Sequence, residues 1–294
     1  MNKKTIFFLS FSALFLFLGL FSSCKPENSL KVMTFNIRYD NPDDSINAWP
    51  NRVASVQAML TEKAPDILGT QEVLKHQFDA LGEMLPNYTA IGVGRDDGKE
   101  AGEYNALFIK NERFEILKSA TFSLSETPDT IGIKGWDAVC CRIATWALLK
   151  DKKSGKRLLA LNTHLDHMGQ IARRESILLI QERIQDILQE NDAVGCPVEV
   201  TGDFNCTPSD EPYLLMTEGH VLTSSHQIGE VTTGPQWTFH GFGSVPELDR
   251  PQIDYVFVSN NIAVKLYETI GDKPNVQGVY LSDHLPVMVI LDME

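Results

Sequence analysis

In Val198-Glu199-Val200-Thr201-Gly202-Asp203-Phe204-Asn205, a β-branched run closes on a glycine, an acid and an amide. Val198 to Thr201 has the composition of a buried strand, and Gly195 and Pro197 stop the helical pattern that precedes it. Asp203 and Asn205 therefore fall where a strand gives way to a loop, the place where a rigid scaffold exposes reactive groups.

The same layout recurs along the chain. Leu158 to Thr163 runs into Asn162-Thr163-His164-Leu165-Asp166, and Ser282-Asp283-His284-Leu285-Pro286 adjoins the apolar run Leu285 to Leu291. Ile253-Asp254-Tyr255-Val256-Phe257 carries an acid at the start of an apolar segment, where it is costly to bury without a partner or a metal. Singly, each polar residue is as well explained by capping or by a satisfied core histidine.

Further runs at Leu30 to Ile37, Ile67 to Thr70, Tyr104 to Ile109 and Ile143 to Leu149 predict more strands. Val53, Val56 and Leu60, and then Ile177, Ile180, Ile184 and Ile187, recur at spacings of three and four, which predicts helices with one buried face. Alternation of strand and helix fails between Tyr88 and Thr163, where strand follows strand. Two packed sheets with helices outside fit better than a doubly wound sheet. No repeat or linker divides the 294 residues, and the motif residues spread from Asn36 to His284, so one domain over residues 30–294 is expected.

The start of the chain differs in kind. Lys3 and Lys4 precede an apolar run from Ile6 to Phe21, then Ser22-Ser23-Cys24 and a polar stretch. This is the layout of a bacterial secretion signal, and Cys24 after small residues resembles a lipobox, although Phe21 stands where leucine is commoner. The expectation is a signal peptide over residues 1–23, a tether over 24–29, and a protein of the cell envelope, exported and lipid-anchored to a membrane at Cys24. The other reading, an uncleaved membrane helix, meets a run short of the ~20 residues that a span needs.

Loss of residues 1–23 removes two lysines and no acids, taking the net charge from −13 to −15. Such a surface repels polyanions, and no cluster of Lys and Arg offers a nucleic-acid footprint. Cys140, Cys141, Cys196 and Cys206 are expected to be buried thiols, because vicinal Cys140 and Cys141 cannot easily close on each other and no pair has zinc-knuckle spacing.

Asn36 ends the first strand, where an amide could position a metal-bound water or a phosphate oxygen. Glu72, in Gly69-Thr70-Gln71-Glu72-Val73, is placed to ligate a hard cation. Together the motifs resemble the endonuclease/exonuclease/phosphatase superfamily, the DNase-like metal phosphoesterases, whose signature runs in order: an Asn strand, Gln-Glu, Asn-x-His, Gly-Asp-x-Asn, Asp-Tyr and a terminal Ser-Asp-His. All six occur here in that order, between Val32 and Val289.

The resemblance implies an α+β fold, a four-layer αββα sandwich of two β-sheets flanked by helices. It implies Mg2+, with Mn2+ as the alternative, at Glu72 with Asn36 and Asp283 close by. Asp203 would activate water, and Asn205 would hold that water or a phosphate oxygen. His284 would stabilise phosphoryl charge, Asp254 would fix its imidazole, and His164 would be a second phosphate contact or a proton donor to the leaving oxygen. Arg142 resembles a phosphate-clamping arginine of some branches, the deadenylase and nocturnin-like ones among them, a surface salt bridge being its plainer role. Tyr104, Trp136 and His240 are candidate substrate contacts, and Trp237, Phe239 and Phe242 candidate stacking residues.

These readings predict a monomeric, metal-dependent hydrolase of phosphate esters, phosphodiesterase or phosphatase. Its partner would be a phosphate-containing small molecule, a lipid headgroup or a short nucleic acid. A nuclease using the same site and a catalytically inactive surface binding module are the alternatives. Loops at Asp43 to Trp49, Gly94 to Glu103, Ser125 to Trp136 and Gly219 to Pro235 are expected to shape the pocket, without naming a substrate.

Overall fold

Apolar runs too short for helices become strands here, and the two stretches of three-four periodicity become the long helices. The computed structural model describes residues 29–271 and 273–293. The leader and Cys24 lie outside the described residues, and among those described no helix is long and apolar enough to cross a membrane.

The chain runs β1 (Leu30–Asn36), α1 (Trp49–Lys63), β2 (Ile67–Val73), α2 (Lys75–Met84), β3 (Tyr88–Ile91), β4 (Tyr104–Lys110), β5 (Phe114–Ser123), β6 (Ile143–Asp151) and β7 (Arg157–His164). It continues through α3 (Gln170–Glu190), β8 (Val198–Asp203), α4 (Glu211–Thr217), β9 (Leu222–Ser224), β10 (Thr232–Thr233), β11 (Asp254–Ser259), β12 (Ile262–Thr269) and β13 (Val287–Met293).

Two mixed sheets result, ordered β10-β12-β13-β1-β2-β4-β3 and β5-β6-β7-β8-β11-β9. Each has a parallel pair at its centre, β1 with β2 and β7 with β8, flanked by antiparallel neighbours, and the short edge strand β10 runs parallel to β12. A parallel pair requires a crossover long enough for a helix, and α1 and α3 provide it.

Period-two alternation divides each central strand between two apolar layers. In β1, Leu30 and Val32 join Val256, Leu149 and Val289 between the sheets, while Met33 and Phe35 pack outward under Val56 and Leu60 of α1. On the other side, Ile177, Ile180, Ile184 and Ile187 of α3 cover Leu159, Leu161 and Val200. The layers are therefore helix, sheet, sheet, helix, the expected αββα sandwich. Strands covered on both faces read as near-continuous apolar runs, which is why the sequence betrays them.

Toward the strand ends the inter-sheet layer turns polar. Gln71 Nε2 donates to Thr34 Oγ1 (3.0 Å) and to Asn162 Oδ1 (2.7 Å), while Asn162 Nδ2 donates to the carbonyls of Thr70 (2.8 Å) and Ala106 (3.1 Å). Thr70 and Ala106 lie in the first sheet and Asn162 in the second, so these bonds fix the sheets against each other. The approach is close enough to demand glycine at position 69, where a Cβ would come within 2.3 Å of Thr201 Oγ1.

Candidate active site

Register assembles one wall of the site. His164, Asp203 and Asp254 stand side by side on β7, β8 and β11, because His164 pairs with Asp203 and Asp203 with Asp254. Alternation puts each two residues beyond a partner of the inter-sheet layer, as His164 follows Asn162 and Asp203 follows Thr201.

The other wall comes from the first sheet. Asn36 ends β1, and Glu72 lies within β2 rather than after it, at a bulge where the pairing with β4 jumps from Thr70 to Val73. Its φ of 61° is left-handed, a conformation costing a non-glycine residue on the order of 1–2 kcal/mol. Bulges re-aim side chains. Here the bulge brings the Glu72 carboxylate to Asn36 Nδ2, which donates to Glu72 Oε1 (3.0 Å) and to Asp203 Oδ2 (2.9 Å).

The two histidines sit in opposite electrostatic settings. Asp254 Oδ2 is 2.9 Å from His284 Nδ1, and His284 Nε2 points to Asp203 Oδ2 at 3.7 Å. Burial alone would depress the imidazole, but Asp254 and Asp203 outweigh it and hold His284 protonated well above the ordinary range. His164, buried and faced by Arg142 and Arg95, is held neutral well below that range. Its Nε2 accepts from Asn205 Nδ2 (3.0 Å), which assigns the proton to Nδ1, an atom without a partner. Asp203 is pushed up to about 7 by burial and by Asp254. Asn205, at φ 47°, turns its backbone N–H onto Asp203 Oδ1 (3.0 Å).

A cleft of about 500 Å3 opens over these groups, lined by Glu72, His164, Asp203, Asn205, Asp283, His284 and Arg142. Three arginines reach it. Arg38 is spent on Asp44, with Nε 2.9 Å from Oδ2, and Arg95 Nη1 lies 2.6 Å from Glu103 Oε2. Arg142 is buried, its side chain only 4% exposed, rather than forming a surface salt bridge. Its Nε meets Asp166 (3.3 Å), its Nη2 meets His167 Nδ1 (3.1 Å), and its Nη1 has no hydrogen-bond partner among the described residues.

Several sequence expectations are corrected. Tyr104 is core, stacked on Phe78 at 4.9 Å, with its hydroxyl donating to the Lys99 carbonyl. Trp136 adopts φ 51° and lies off the cleft, its backbone N–H donating to Glu126. His240 is buried between Trp237 and Tyr280, lowered to about 4 by that burial, and its Nδ1 accepts from Gly243 N–H. Of the aromatic candidates only Phe239 lines the cleft, its ring 4.9 Å from that of His284. All four described thiols are free, but only Cys206 is buried, and Cys140 lines the cleft.

The sequence reading missed Arg38, Tyr39, Arg95, Glu103 and His167, all of which line the cleft. Arg95 and Glu103 end the loop that it took only to shape the pocket. The turn Asp96-Asp97-Gly98 between them is the signal that would have marked a hairpin presenting both.

For a divalent ion, Glu72 and Asp203 are the fitting donors: their ligand atoms and one of His284 lie within 4.8 Å of one another, but the protonated His284 imidazole has no lone pair to give. The two carboxylates suit a hard cation. Asn36 does not fit as a ligand as expected from the sequence: Arg38 N–H donates to its Oδ1 (3.0 Å), so Asn36 presents its donor edge to the acids. Asp283 lines the cleft, with Oδ1 accepting from Ser282 Oγ (3.1 Å) and Oδ2 3.8 Å from Arg38 Nε.

Known proteins share this fold. The sequence pattern of the Endonuclease/Exonuclease/phosphatase family matches residues 33–284. A Bacteroides vulgatus endonuclease/exonuclease/phosphatase structure is 45% identical with a TM-score of 0.86, covering 91% of this chain and 100% of that one. A mannosyl-6-phosphatase of Bacteroides thetaiotaomicron is 36% identical with a TM-score of 0.82, covering 90% of this chain and 99% of that one. Human Nocturnin is 25% identical over 264 residues, 82% of this chain; the match spans 57% of Nocturnin's length. With the site motifs inside the matched span and the sandwich shared by these structures, the chain belongs to the endonuclease/exonuclease/phosphatase family.

Proposed function

We propose that the protein is a divalent-metal-dependent phosphatase of a compact phosphate monoester, a phosphorylated sugar such as mannose 6-phosphate. The observation that carries this reading is the state of the three cleft arginines. Arg38 and Arg95 each hold an acid closely, at 2.9 and 2.6 Å, whereas Arg142 meets Asp166 at 3.3 Å and turns a terminal guanidinium nitrogen, Nη1, to no partner among the described residues. One unspent cationic edge beside the metal-capable acids suits one phosphate group, not the repeated phosphates of a strand. The 36% identity to a mannosyl-6-phosphatase supports the sugar.

Glu72 would hold magnesium, which when bound neutralises phosphoryl charge and acidifies water. Asp203, beside Asn205, is placed to take a proton from an attacking water. His284, oriented by Asp254, offers a cationic Nε2–H to phosphoryl oxygen, and Arg142 Nη1 clamps the same group. Neutral His164, accepting from Asn205 at Nε2, would hold the Asn205 side chain beside the reacting phosphate.

The test is phosphate release from mannose 6-phosphate with magnesium and with EDTA. Magnesium-dependent release, with Arg142→Ala raising KM more than it lowers the melting temperature, is expected. Absence of phosphate release from any monoester would overturn the reading. Export and lipid anchoring at Cys24 remain part of the proposal, and Cys24→Ser is expected to release the protein from membranes.

A further inference from the structure

The hairpin from Gly94 to Glu103 carries a feature that phosphate chemistry does not require. Backbone bonds close it unaided: Gly94 N–H donates to the Lys99 carbonyl (3.0 Å), Asp96 N–H to that of Ala101 (3.0 Å) and Arg95 N–H to that of Glu103 (3.1 Å). The Arg95–Glu103 pair is therefore not needed as a clasp. Its effect is to hold a carboxylate in the cleft wall, in the same cavity as Arg142. Arg95 occupies Glu103 Oε2 at 2.6 Å, whereas Oε1 accepts no hydrogen bond from any described residue.

Burial raises Glu103 to about 7 while Arg95 pulls it down, and the carboxylate that Arg95 holds is an acceptor only. In a cavity meant for an anion it repels a second phosphate, and what it binds is a hydrogen-bond donor without negative charge. A hydroxyl meets both conditions.

We propose that Glu103, positioned by Arg95, recognises a hydroxyl of the substrate's uncharged part, so that the cleft reads a polyol phosphate through both Arg142 and Glu103. This rests on the phosphatase reading above and adds the residue that selects among phosphatase substrates. A site built to hydrogen-bond a hydroxyl discriminates strongly against analogues that lack it, because the buried polar group is then left unpaired.

The experiment compares kcat/KM for mannose 6-phosphate and for phenyl phosphate, which has no hydroxyl, in wild type and Glu103→Gln. The ratio of the two is expected to fall roughly 10- to 100-fold in the variant, the scale of a hydrogen bond to a charged group, and chiefly through KM for the sugar phosphate. Monodeoxy hexose 6-phosphates on the wild type give the same reading without any variant, and one of them is expected to lose a similar factor. An unchanged ratio, with both substrates equally impaired or equally untouched and every deoxy analogue cleaved like the parent, would overturn the role of Glu103 while leaving the phosphatase reading in place. Failure of the wild type to cleave either substrate with magnesium would remove the phosphatase reading and this inference with it.

Discussion

Asp203 and Asp254 pair directly across β8 and β11, yet their carboxylates do different things. Asp254 Oδ2 is bound to His284 Nδ1 at 2.9 Å, whereas Asp203 Oδ2 faces Asn36, His164 and the cleft. Two neighbouring acids are thus split into one that orients an imidazole and one left for chemistry. Asp254→Asn removes the orientation without removing volume. Its kcat is expected to fall about 10- to 100-fold, the cost of losing a partner that orients an active-site histidine, with the melting temperature little changed. A wild-type kcat in this variant would contradict the role.

Asp203→Asn tests the other half of the pair. The amide still packs but cannot take a proton, so kcat is expected to fall at least ~100-fold, the scale of a lost general base. Glu72→Gln should instead raise the magnesium concentration needed for half-maximal activity. Metal titration of both variants separates the two roles, and an Asp203→Asn enzyme of near-normal turnover would refute the assignment.

Gly69 is where the sheets approach most closely beneath the site. A Cβ there meets Thr201 Oγ1 at 2.3 Å and Asn162 Oδ1 at 2.7 Å. Gly69→Ala is expected to destabilise the fold by roughly 1–3 kcal/mol, as overpacked interiors do, and to disturb the bond from Gln71 to Asn162. Denaturant melts measure this, and unaltered stability would show that the sheets can part at little cost.

Glu199 is fully buried in β8 and neither carboxylate oxygen has a hydrogen-bond partner among the described residues. Burial raises its pKa well above the ordinary carboxylate range, so the folded protein holds it protonated. The unfolded chain releases that proton more readily. The neutral acid's contribution to stability is therefore complete below the unfolded pKa and drains away as pH rises toward the folded pKa, at up to about 1.4 kcal/mol per pH unit. Glu199→Gln cannot titrate, and its melting temperature should gain on wild type as pH rises from roughly 4.5. A constant difference between the two across pH would contradict the account.

How much of this was legible in sequence follows from burial. The central strands announced themselves because both faces are covered and their residues are apolar throughout. β5 and β12 did not, since β5 exposes Glu115 and Lys118 and β12 interleaves Lys265 among its apolar residues. Glu199 hid for a related reason: one acid in a strand ordinarily marks a solvent face. The candidate site residues could be read because they lie at or beside strand ends, His164 and Asp203 closing a strand and Asp254 opening one, in motifs of known order. The bulge that turns Glu72, the orientation of Asn36 and the burial of Tyr104 and His240 could not, because each depends on contacts between residues far apart in the chain. Arg95 and Glu103 belong to no motif, and only folding brings them into one cleft with Arg142.

The central claim, that one magnesium-dependent site serves a compact monoester, is tested most directly by measuring kcat/KM on mannose 6-phosphate and on supercoiled plasmid DNA in the same preparation, across roughly 50 to 200 mM salt. The account predicts that the sugar phosphate is turned over faster at every salt concentration, with a shallow salt dependence. Efficient plasmid cleavage that falls by ~0.9 log units per phosphate contact for each tenfold rise in salt, with little phosphate released from the monoester, would contradict it and make the protein a nuclease.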